Sequence, residues 1–78
     1  MSARNNFWQN VNRLKSPSIY ALLNDGEKIE LASCIDEVSQ SNAFMNPTGA
    51  FQYAINLIDS VNIRLNEYTE SHFKMYRQ

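Results

Sequence analysis

The chain has a single cysteine, Cys34, so no disulfide can form within it. It has a single histidine, His72, so no cluster of histidine and cysteine ligands can hold a metal. Its two glycines, Gly26 and Gly49, lie far apart and make no phosphate-cradling loop. No apolar run approaches the roughly 20 residues of a membrane span. The opening stretch MSARNNFWQN has no apolar run of signal-peptide length. Cys34 sits in LASCIDEV, an apolar setting in which a free cysteine acts as a small buried hydrophobe. One unpaired cysteine also suits a reducing compartment. The expectation is a cytoplasmic protein with no cofactor, no metal and no membrane segment.

Strong charge of either sign is also missing. The net charge is −1, unevenly placed. Residues 1–24 carry Arg4, Arg13 and Lys15 and no acid. Residues 25–40 carry Asp25, Glu27, Glu30, Asp36 and Glu37 against Lys28. Three cations do not make a nucleic-acid footprint, and this acidic segment does not make a nucleic-acid mimic. A chain of 78 residues makes one domain that buries only about 60% of its unfolded surface. Without disulfide or metal, association is the remaining stabiliser.

What the sequence does contain is helical periodicity. Residues 1–5 read as a flexible arm. Phe7, Trp8, Val11 and Leu14 then recur at helical spacing, with Asn5 or Asn6 as the N-cap and the Trp8 indole in the core. Ser16-Pro17 is a cap-plus-proline start for a short buried helix carrying Ile19, Tyr20, Leu22 and Leu23, with Gly26 as its stop. Leu31, Ile35 and Val38 form the next stripe, with Glu27 and Glu30 suited to the positive end of the helix dipole. A β-hairpin at about 19–31 is the rival, because Asn24-Asp25-Gly26 is turn-like and Lys28-Ile29-Glu30-Leu31 alternates. Residues 39–49 read as a loop whose inward anchors are Phe44 and Met45.

Asn46-Pro47 repeats the start signal, and no proline follows. A helix over about 47–77 would be roughly 46 Å long. Phe51, Ala54, Ile58, Val61, Leu65, Tyr68, His72 and Met75 follow a 3,4 spacing along it, a heptad a/d register. Residues 51–65 read as its core face. The distal residues outrun the rest of a small domain and make an apolar patch of the kind that marks interaction surfaces.

The whole reads as one all-α domain over residues 1–78, a small bundle of three or four helices with a long C-terminal helix; the rival is α+β with the hairpin. No nucleophile, base and orienting group form a recognisable set, so the chain reads as a non-enzyme. The expected activity is that of a self-associating inhibitor, adaptor or regulator that occupies a surface on a partner protein. Small phage and mobile-element regulators are often of this size. Self-association falls to Leu65, Tyr68, His72, Met75 and Tyr76, and partner binding to Phe73, Tyr76, Arg13 and Lys15. Two alternatives are a dimeric nucleic-acid-binding regulator using the basic N-terminal segment, and a structural subunit of a larger assembly.

Overall fold

A computed structural model describes residues 2–42 and 44–76, with side chains up to Glu67. Among the described residues there are four helices and no strand: α1 (Ala3–Leu14), α2 (Pro17–Tyr20), α3 (Asp25–Gln40) and α4 (Thr48–Tyr76). The all-α bundle with a long last helix is the fold, and the hairpin rival is overturned.

α1 starts earlier than the asparagines suggest. Ser2, in extended backbone, accepts a hydrogen bond on its hydroxyl from the Asn5 N–H at 3.1 Å, which satisfies one of the orphan donors of the first turn. Asn5 and Asn6 are therefore helical rather than caps, and residues 3–5 are helix rather than arm. The helix buries Phe7, Val11 and Leu14. Trp8 is only half-buried, not in the core centre. Its ring meets Phe7 edge-on at 5.1 Å, so the smaller aromatic takes the interior and the indole covers it.

Ser16 holds the N-cap position of α2 but makes no side-chain capping bond; its hydroxyl donates to the Arg13 carbonyl at 2.7 Å. Pro17 opens the helix, as its fixed φ favours. Ile19 and Leu23 are buried, while Tyr20 turns outward.

Gly26 does not stop anything. It lies in the first turn of α3 with no positive φ, so the mirror-image turn that a hairpin needs is absent. What decides this is a capping box. The Asn24 side chain accepts from the Glu27 N–H at 2.8 Å, and the Asn24 N–H donates to Glu27 Oε1 at 2.9 Å. α3 buries Leu31, Cys34 and Val38, with Ile35 at the edge of the core. Burial raises the Cys34 thiol pKa, and nearby Glu30 and Glu37 add to the effect.

α4 is the wall on which the rest is built, packing against both α1 and α3. Ala50, Phe51, Ala54, Leu57 and Val61 are buried in one cluster with the α1 and α3 side chains. The Phe51 and Phe7 rings lie 5.5 Å apart. Tyr53, Ile58 and Leu65 pack at its margin, while Ile55 lies outside it, partly exposed. The first half of the heptad register is thus core face. α4 has 29 residues, about 44 Å of helix. The radius of gyration is 15.0 Å, against about 11–12 Å for a compact chain of this size.

Gly49 sits in the first turn of α4, and a Cβ added there would meet nothing within 4 Å. Gly49→Ala should therefore stabilise the protein by about 0.5–1 kcal/mol through a less entropic unfolded chain. Urea denaturation checks this, and a destabilised variant would refute it.

Candidate interaction surface

Two arginine clamps tie the helices together, and the first also holds the loop after α3. The first is Arg4. Its Nη1 donates to the Val38 carbonyl at 3.2 Å and to Ser41 Oγ at 2.9 Å. Its Nη2 donates to the carbonyls of Asn42 at 3.2 Å and Met45 at 2.9 Å. One guanidinium fork thus satisfies the frayed carbonyl end of α3 and both sides of the following loop. A cation also suits the negative end of a helix dipole.

The same bonds reverse an expectation about that loop. Phe44 and Met45 are not inward anchors: they are 96% and 57% exposed. The Phe44 N–H donates to Asn42 Oδ1 at 2.9 Å, and the Met45 N–H to the Asn42 carbonyl at 3.1 Å. The backbone is tied to Arg4 and Asn42, and the apolar side chains are left pointing out. Beside Met45 lies an open cleft of about 490 Å³ lined by Glu37, Gln40, Ser41, Asn46 and Pro47.

The second clamp joins α3 to α4. Arg64 and Glu27 pair through two parallel hydrogen bonds, Nη1 to Oε1 at 2.6 Å and Nη2 to Oε2 at 2.7 Å. Arg64 Nη1 also donates to the Leu22 carbonyl at 2.9 Å, in the α2–α3 turn. The Arg64 hydrogen bond holds the Glu27 carboxyl below its usual range, with desolvation working against it. The same bond raises the Arg64 pKa. This is the only ion pair among the described residues.

The residues singled out from the sequence fall into different places. Arg13 Nη2 donates to Asn62 Oδ1 at 3.0 Å, which ties α1 to α4. Lys15 lines a smaller groove with Tyr20, Lys28, Leu31, Ala32 and Ile35. Leu65 is half-buried against the chain's own core. The side chains of Tyr68, His72, Phe73, Met75 and Tyr76 lie outside the described ones, although the α4 backbone runs helically to Tyr76. Sequence reasoning missed both clamps. The Asn24-x-x-Glu27 spacing signalled the capping box, but nothing local marks a partner 37 positions away.

Among the described residues no group of acidic, histidine or cysteine side chains is placed to hold a metal ion. No described helix is long and apolar enough to cross a membrane. No family model, curated protein or solved structure matches this chain.

Proposed function

We propose that this is a small non-catalytic helical protein that self-associates through the distal part of α4 and acts by occupying a surface on a partner protein, as an inhibitor, adaptor or regulator. The observation that carries the reading is the length of α4: its backbone is helical over 29 residues, from Thr48 to Tyr76, about 44 Å. The heptad register continues with it through Tyr68, His72 and Met75. Tyr76 and Phe73 add aromatic surface of the kind enriched at interfaces. A cytoplasmic setting fits a chain with one buried thiol.

The nucleic-acid reading has less support, since Arg4 and Arg13 are engaged within the fold and only Lys15 of the basic N-terminal set is left. A structural subunit would use the same helix and differs in being open-ended rather than closed.

Sedimentation equilibrium on the intact chain should give a dimer at micromolar concentration. Tyr68→Glu with Met75→Glu should give a monomer of unchanged helicity, because both substitutions suit a helix and neither touches the described core. A monomeric intact chain, or a double variant with the parental mass, defeats the proposal.

A further inference from the structure

The groove around Lys15 and Lys28 combines two cations with an apolar lining. It lies among the end of α1, α2 and the side of α3, and holds about 220 Å³. Its floor is Leu31, Ala32 and Ile35, and its rim is Lys15, Lys28 and Tyr20. No acidic side chain is among these residues. Yet α3 carries Asp25, Glu27, Glu30, Asp36 and Glu37, so carboxylates were available in sequence to pair with the two ammoniums. Glu27 is turned to Arg64 instead. Lys28 Nζ rests 5.0 Å from the centre of the Tyr20 ring, which holds one cation beside the apolar floor without neutralising it.

We infer that this groove docks an acidic segment of a partner polypeptide, one carboxylate side chain pairing with Lys15 and Lys28 while an adjacent apolar side chain covers Leu31, Ala32 and Ile35. Two unpaired cations around an apolar floor complement an anion attached to a hydrophobic stem. A polypeptide suits the groove better than a free small molecule. Small-molecule sites enclose most of their ligand, whereas this groove is open and takes about one side chain. Useful affinity then needs contacts that continue beyond it, which a chain supplies. The inference rests on reading the protein as one that occupies partner surfaces. It concerns a region separate from distal α4.

The test is a two-dimensional amide NMR titration of the intact protein. The probe is an acetylated, amidated peptide alternating glutamate and leucine. Shifts should concentrate at Lys15, Tyr20, Lys28, Leu31, Ala32 and Ile35. Replacing the peptide's glutamates by glutamine, or its leucines by serine, should each abolish them. Lys15→Gln with Lys28→Gln should weaken binding about tenfold, since two partly exposed pairs are lost. High salt should weaken the unmodified protein similarly, a check that does not depend on the variant's folding. Shifts centred on Phe44, affinity that ignores salt and both lysines, or the same residues saturated equally by octanoate would each overturn the inference. None of these results bears on whether α4 dimerises, so the two proposals fail separately.

Discussion

Phe7→Ala is expected to remove about a third or more of the protein's folding stability, the largest loss of any single substitution considered. Phe7 is 1% exposed and touches both Trp8 and Phe51, so it joins α1 to α4 at the centre of the core. Truncating a buried phenylalanine to alanine costs about 3–5 kcal/mol, from lost transfer free energy and the cavity left behind. A domain of this size has about 4–12 kcal/mol in total. Trp8 is the only tryptophan and lies against the mutated ring, so its emission should red-shift as packing is lost. Urea denaturation followed by circular dichroism and by Trp8 fluorescence measures the change. A loss under about 1 kcal/mol would show that the α1–α4 contact is not where the stability lies.

The second large effect is expected at Arg64. Arg64→Ala removes three hydrogen bonds, two to Glu27 and one to the Leu22 carbonyl. Hydrogen bonds to charged partners contribute about 1.5–3 kcal/mol, and side-chain exposures of 34% for Arg64 and 17% for Glu27 place this cluster toward the lower end. The pair also gives an acid-range signature. Glu27 titrates lower in the folded protein than in the unfolded chain, chiefly because Arg64 donates to its charged form. Its contribution is complete above the unfolded value, near pH 4.3, and is lost as pH falls from there toward the depressed folded value. Glu27→Gln keeps an acceptor for the Asn24 N–H but removes the charge. Its stability should therefore fall less steeply with acidification than that of the parent. Urea midpoints measured from pH 6 down to about pH 3 give the comparison. Parallel curves would mean that the pair contributes no charge-dependent stability.

The helix assignments were legible because periodicity and start signals are local. Val11 and Leu14, Leu31 and Val38, and the 51–65 stripe all declare their faces by spacing alone, and these are buried or core-lining in the fold. Ser16-Pro17 and Asn46-Pro47 marked two starts to within a residue. The errors arose where a specific hydrogen-bond partner, near or far in sequence, overrides residue preference. Asn24-Asp25-Gly26 resembles a turn, and the Asn24–Glu27 capping box claims it for a helix. Residues 1–5 show no apolar periodicity, yet Ser2 caps α1 and Arg4 within it reaches carbonyls 34 to 41 positions later. Phe44 and Met45 are apolar, so inward packing was the natural expectation. It fails because the loop backbone is already bonded in a conformation that faces them outward. As for the interaction surface, the lysine groove combines residues from α1, α2 and α3, and no window of sequence brings them together.

The placement of α4 as the wall for both α1 and α3 also has a consequence during synthesis. Arg13 waits 49 positions for Asn62, and the Leu22 carbonyl waits 42 for Arg64. While α1, α2 and α3 emerge from the ribosome they have helical propensity and apolar faces but lack the α4 side chains of their shared core. Non-local closure of this kind is slow relative to helix formation, because loop entropy is lost before the contacts that repay it exist. Collapse must therefore await translation of residues as late as Val61 and Arg64. Until then Phe7, Val11, Leu31 and Val38 lack the α4 side chains that complete their burial.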